Sequence, residues 1–259
     1  MAMLTVSGNP AFALDKMQIY SFAEAVKRAL PEKERENLSI FLRIHQIAKG
    51  TPTQFFELHL HGPAHIKECL DALTFKISPT SFFQTNTPQA EKLYARAIEM
   101  LELSGKERVF DLYCGTATLS MVLALAAERV VGIELNPHAV FDAEENKKIN
   151  NISNLDIICG DVGKTLSALR KDPDFLPPDA IVVDPPRCGL DKASLDNVIA
   201  LSPKKILYIS CNPKTQEENI RVLSEAGYTL TQLQPVDQFP HTLHTENIAL
   251  LERAFPLHS

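Results

Sequence analysis

The 259-residue chain has no cysteine pair spaced CxxC, and its five cysteines (69, 114, 159, 188 and 211) are odd in number and far apart. That pattern argues against a disulfide framework, a metal site or an iron–sulfur cluster, and it fits a reducing, cytoplasmic location. No apolar run approaches the ~20 residues needed to cross a bilayer, so no membrane association is expected. The opening MAMLTVSG has neither a basic stretch nor a long apolar one, and no signal peptide is expected from it. It reads as a strand that begins at once, as in a chain lacking an earlier domain. Internal repeats and low-complexity segments are also missing. So is an excess of positive charge. Residues 1–105 carry 11 basic and 11 acidic side chains, and residues 106–259 carry 15 against 21, which leaves a net charge of −6. A chain that held nucleic acid by overall charge would be basic, so any RNA must be held through a local patch or a separate module.

What is present is the composition of an ordinary globular protein, 45% hydrophobic and 22% charged, long enough for one large domain or one with a smaller companion. Up to about residue 77 the signals are mixed. A strand is expected near 4–6, an amphipathic helix at 20–30, and strands at 40–44, 55–60 and 73–77, together a small α+β unit. Asn86-Thr87-Pro88 then starts a helix with apolar residues at helical spacing through Leu101. From residue 108 short apolar runs at 109–113, 130–134, 155–158, 180–184 and 206–210 alternate with helical stretches. That alternation predicts a parallel sheet with helices on both faces, and the close pair of runs at 228–235 and 248–251 predicts a hairpin ending.

The chemistry concentrates where strands end, the usual ligand edge of such sheets. VFDLYCGTATLS (109–120) is a strand, a glycine turn and a helix, a place where backbone can approach a ligand and a helix N-terminus favours a negative group. VVGIELNP ends its strand in Glu134, 19 positions after Gly115, where an acid clamps a ribose with free hydroxyls. ICGDV adds Asp161 at the end of the third strand, placed to read an adenine amino group. A nucleoside-containing cofactor is therefore expected. It is not a dinucleotide, because GxGxxG is absent. AIVVDPPRCG delivers Asp184 at a strand end, and Pro185-Pro186 forces a rigid exit toward Arg187, a candidate for a phosphate or base edge of the substrate.

YISCNPKTQEEN (208–219) ends a strand in Cys211 and starts a helix with Asn212 as cap and Pro213 in its first turn. Position alone leaves two readings open, a small buried core residue or a nucleophile whose thiol pKa is lowered by the helix N-terminus. FPHTLHTENIALL carries His241, His244 and Glu246. No third ligand with matching spacing supports a metal there, and Glu246 is either an exposed strand-start residue or a buried general base.

Taken together, ISPTSFFQTNTPQAEKLY (77–94), VFDLYCGTATLS, VVGIELNPHAV, DPPR, SCNP and FPHTLHTEN resemble the uracil-C5 RNA methyltransferases, over about residues 75–253. The resemblance implies a Rossmann-like class I methyltransferase fold, with a seven-stranded, mostly parallel, doubly wound sheet over residues 77–259. Residues 1–76 resemble part of that family's central α+β domain. S-adenosylmethionine is implied as methyl donor, with ribosomal RNA ahead of transfer RNA as the RNA substrate and no obligate protein partner. By the same resemblance Cys211 is the nucleophile and Glu246 the base, while Gln84, Tyr113, Thr118, Glu134, Asp161 and Asp184 contact the cofactor.

Three departures from the family pattern set further expectations. Ala117 and Thr118 replace the usual residues of the glycine turn, and Cys188 stands where alanine is common. An N-terminal β-barrel RNA-binding domain and a four-cysteine cluster are missing, which points to weak RNA affinity. Two rivals stand against this reading. An N-methyltransferase acting on a base amino group would need no cysteine and would carry an aromatic residue at Arg187. A non-catalytic RNA-binding module would have no reason to retain Cys211, Glu246 and Asp184.

Overall fold

Residues three and four apart are apolar along the helical stretches, and the strand runs are apolar at nearly every position, so both faces of the main sheet demand cover. A computed structural model of the protein describes residues 1–8, 15–46 and 54–253. The chain divides into two compact units, one of Met1–Glu68 with Lys76–Thr80 and one of Cys69–Phe75 with Ser81–Ser259. Residues 254–259, the end of the expected catalytic domain, lie outside the described residues.

In the first unit β1 (Ala2–Gly8) pairs in parallel with β2 (Ile40–Gln46), which pairs antiparallel with β3 (Gln54–His61). The crossover contains α1 (Lys16–Ala29), capped by Asp15, and a short α2 (Glu32–Arg35). Ala23 of α1 packs with Leu38 and Ile40, with Phe22, Val26, Leu30 and Leu60 around them. The chain passes between the units at a hairpin of β4 (Ile66–Leu70) and β5 (Leu73–Ile77). Residues 69–75 are tied into the second unit because the Thr74 amide donates to Asn150 Oδ1 at 2.8 Å and the Asp71 amide to Glu91 Oε1 at 2.8 Å.

The second unit holds α3 (Thr87–Leu101), then β6 (Arg108–Leu112), α4 (Thr118–Ala124), β7 (Arg129–Glu134), α5 (Pro137–Ile149), β8 (Leu155–Cys159) and α6 (Val162–Leu169). It continues through β9 (Ala180–Val183), α7 (Lys192–Leu201), β10 (Lys205–Ser210), α8 (Pro213–Glu225), β11 (Tyr228–Val236) and β12 (Glu246–Arg253). The strand order is β11-β12-β10-β9-β6-β7-β8, parallel except that β12 runs antiparallel to both neighbours.

Phe110, Leu112, Ile181, Val183, Ile206 and Tyr208 meet Val162, Leu166, Leu195, Val198 and Leu223 of α6, α7 and α8 in one cluster. The alternate residues Val109, Val182, Leu207 and Ile209 are buried as well, on the face that α3 and α4 approach. This is the doubly wound fold expected from the sequence. From β6 the chain winds one way through β7 and β8 and then returns to β9 on the other side. The switch point between β6 and β9 opens a crevice at their carboxyl ends, where such folds bind ligands. Among the described residues no helix is long and apolar enough to cross a membrane.

Candidate active site

A cavity of about 520 Å³ opens at that switch point, reached by the ends of β6, β9 and β10 and the start of β12. Seven of the nine residues singled out from sequence line it: Gln84, Tyr113, Thr118, Asp184, Arg187, Cys211 and Glu246. Glu134 and Asp161 do not. Each has a local partner instead. Glu134 accepts from the Gly115 amide at 2.9 Å and the Asn136 amide at 2.7 Å, and Asp161 caps α6 by accepting from the Lys164 amide at 3.0 Å. Glu134 thus braces a turn that does line the cavity. His241 and His244 are exposed and are not among the lining residues.

Strand pairing brings the two reactive candidates to one end of the sheet. β10 and β12 pair antiparallel as far as Ser210 against Asn247; Cys211 follows Ser210 and Glu246 precedes Asn247, and both line the cavity. Two buried side chains hold this end of the pair of strands. Gln216 of α8 donates to Tyr208 O at 2.9 Å and Asn247 O at 3.2 Å, while Asn247 Nδ2 donates to Gln216 Oε1 at 2.6 Å.

The cavity is acidic and poorly solvated. Burial pushes Asp111 up to about 7, with the Ser120 hydroxyl opposing the rise and Glu134 adding to it. Asp184 is pushed up to about 8, first by burial and then by Glu246 and Asp111. Burial also raises Glu246, against the pull of the Arg187 guanidinium. Tyr94 is buried among these carboxyls, and its phenol is held above the usual range, so it stays a neutral O–H. The sequence reading of Cys211 needs correcting here. Its thiol pKa is raised, because burial and the Glu246 and Asp184 carboxylates outweigh Arg187, the side chain that favours the thiolate.

The turn from β6 to α4 explains why glycine is common in it. Tyr113, Gly115 and Ala117 all take left-handed backbone, with φ of 65°, 56° and 60°. A side chain costs roughly 1–2 kcal/mol in that region, so Ala117, fully buried, carries strain that glycine would not. A Cβ built on Gly115 meets nothing within 4 Å, so the backbone there faces open space.

Several lining residues escaped the sequence reading: Asp111, Tyr94, Cys114, Phe82, Phe83 and Phe239. Asp111 had a visible signal, an acid inside an otherwise apolar strand. Phe82 keeps 70% of its surface exposed and offers a flat apolar face at the cavity. The Cys114 thiol has its pKa pushed well up by burial and by Asp111 and Glu134. The arrangement sets a thiol and a carboxyl group in one cavity, beside aromatic rings, in a space that favours a cation.

Fold and cavity together define a Rossmann-like methyltransferase domain. The structure of Pyrococcus abyssi tRNA (uracil-54, C5)-methyltransferase in complex with S-adenosyl-L-homocysteine matches with a TM-score of 0.66 at 29% identity, over 82% of this chain and 50% of that one. The model of the tRNA (Uracil-5-)-methyltransferase family matches residues 64–254, and the chain belongs to that family. It is 49% identical to an uncharacterized RNA methyltransferase of Protochlamydia amoebophila, over 97% of this chain and 59% of the relative. An uncharacterized RNA methyltransferase of Chlamydia trachomatis is 37% identical over 98% of this chain and 63% of its own length. The chain thus spans about six-tenths of the length of these two relatives.

Proposed function

We propose that this chain is the catalytic part of an RNA (uracil-C5)-methyltransferase that takes its methyl group from S-adenosylmethionine. The observation that carries the reading is that Cys211 and Glu246 line one cavity, with Glu246 acting on the Cys211 thiol, in a chain of the uracil-5 family. The residues present fit the methyl donor. Three carboxyl side chains suit a sulfonium cation, and the backbone at Gly115 leaves room for close approach. Gln84, Tyr113, Thr118 and Asp184 would hold the donor in the cavity, with Glu134 and Asp161 beyond it along the strand ends. When bound, it supplies an electrophilic methyl group.

Carbon 5 of uracil is too weak a nucleophile to take that methyl unaided, and Cys211 solves this by covalent catalysis. The thiol first gives up its proton to solvent, which Arg187 favours. Sγ then bonds to C6, and the C5=C6 electron pair moves onto C5 and O4. C5 would then take the methyl group of a bound donor, whose S–CH3 bond breaks to leave S-adenosylhomocysteine. Glu246 next accepts the C5 proton; the electrons of that C–H bond restore C5=C6 and the Sγ–C6 bond breaks, freeing the thiolate. A carboxylate with a raised pKa is a stronger base, so the burial of Glu246 serves this step. The target base must leave its stack to reach the cavity, at a cost of a few kcal/mol, and Phe82 offers it a surface.

The substrate uridine lies in ribosomal or transfer RNA, ribosomal RNA being the first to test. Residues 77–259 are read as the catalytic domain and residues 1–76 as part of the family's central domain. Five cysteines outside any disulfide suit a cytoplasmic location.

RNA carrying 5-fluorouridine at the target tests the mechanism, because fluorine cannot leave as a proton does. An adduct that survives denaturing gels, requires S-adenosylmethionine and disappears in Cys211→Ala but not in Cys188→Ala is the expected result. A trap that persists in Cys211→Ala ends the nucleophile assignment.

A further inference from the structure

Arg187 is the side chain that draws Cys211 toward the thiolate, and it sits on a loop whose position is set from outside the cavity. The loop after β9 lies along one face of α8, the helix that starts just beyond Cys211. Arg187 O accepts from Asn212 Nδ2 at 2.9 Å and stands 3.1 Å from Thr215 Oγ1, which is also 3.1 Å from Asn212 O. One turn further along, the Leu190 amide donates to Asn219 Oδ1 at 2.9 Å, and Tyr208 donates its hydroxyl to the same oxygen at 2.8 Å.

Gly189 makes this docking possible. Its φ is 77°, and a Cβ there would stand 2.7 Å from Asn219 Oδ1 and 3.3 Å from Thr215 Cβ. Thr215 and Asn219 lie outside the cavity lining and play no part in the chemistry assigned above.

We infer that Thr215 and Asn219 are positioning residues that dock the Asp184–Leu190 loop on α8 and so hold Arg187 against Cys211. This rests on the reading of Cys211 as nucleophile, and it adds how the thiol's one favourable partner is kept in place. The thiol is faced by Glu246 from β12 and by Asp184 and Arg187 from the loop, and its balance is already unfavourable to ionisation. Losing Arg187 from that set leaves only burial and like charge.

The test is alkylation of Cys211 by iodoacetamide in the full chain, followed by mass spectrometry of the Cys211 peptide across pH 6–10. Thr215→Val is expected to slow labelling at pH 8 about 3–10-fold and to move the pH midpoint upward, since one pKa unit is tenfold in thiolate. Thr215→Ser, which keeps the hydroxyl, is expected to stay within about twofold of wild type by the same relation. Gly189→Ala and Asn219→Leu should shift the midpoint in the same direction. If Gly189→Ala does not fold, the Thr215 pair decides. A folded Thr215→Val that labels with the wild-type midpoint overturns the inference. The readout is independent of methyl transfer: a shifted midpoint together with a Cys211 that 5-fluorouridine RNA fails to trap would keep the positioning role and remove the nucleophile.

Discussion

Ser120 donates its hydroxyl to Asp111 at 2.5 Å beneath the β6–α4 turn, and both side chains are buried. This bond opposes the burial that takes Asp111 up to about 7. A carboxyl raised in the folded state binds its proton more tightly there than in the unfolded chain. Stability therefore falls as pH rises from about 4 toward 7 for Asp111, and on toward 8 for Asp184. Ser120→Ala should lose ~1–3 kcal/mol, with a larger loss at pH 8 than at pH 5, because the buried charge is then left without its donor. Urea unfolding at the two pH values measures this, and an equal loss at both would count against it.

Glu246→Gln should lower kcat by roughly 10²–10⁴-fold and leave a methylated protein–RNA adduct accumulating on ordinary RNA, because the amide cannot take the C5 proton. Denaturing gels with labelled RNA detect the adduct. Wild-type turnover in this variant would move the base elsewhere.

Glu134 holds the Gly115 amide at the cavity wall. Glu134→Ala should weaken S-adenosylmethionine or S-adenosylhomocysteine binding by ~1–3 kcal/mol, because the Gly115 amide loses its charge-assisted hydrogen bond and the turn at the cavity wall is released. Calorimetry that finds equal affinity in the two proteins would remove Glu134 from the cofactor site.

With a net charge of −6, the 259-residue chain should bind RNA weakly. Between about 50 and 200 mM salt its affinity should fall less than ~10-fold, because few phosphates are neutralised. Supplying the RNA-binding module of a longer relative should tighten binding. A steep salt dependence in the chain alone would show that a local basic surface does the work.

The strands of the second unit were legible because buried parallel strands are apolar throughout and end in glycine, acid or proline. β4 and α2 were not: IKECL exposes its three middle residues, and EKER is four charged residues with none buried. Most of the cavity was legible as motifs at strand ends. The sign of the Cys211 shift was not, since it depends on Glu246 and Asp184, 35 residues later and 27 earlier in the chain, standing at the same spot. Asp111 carried a signal, an acid inside an otherwise apolar strand, but no motif placed it at the cavity. The docking of the loop by Thr215 and Asn219 leaves no sequence pattern of its own, because threonine and asparagine at helical spacing read as an ordinary polar face.

β12 comes last in sequence yet lies inside the sheet, between β10 and β11, and Glu246 is its first residue. During synthesis the thiol is therefore made well before the strand that faces it. A ribosome that stalls or terminates short of residue 246 releases a chain lacking both Glu246 and the strand that joins β10 to β11. Completion of the sheet and arrival of Glu246 at the cavity are one event, so an unfinished chain holds Cys211 without the carboxyl group that β12 carries to it.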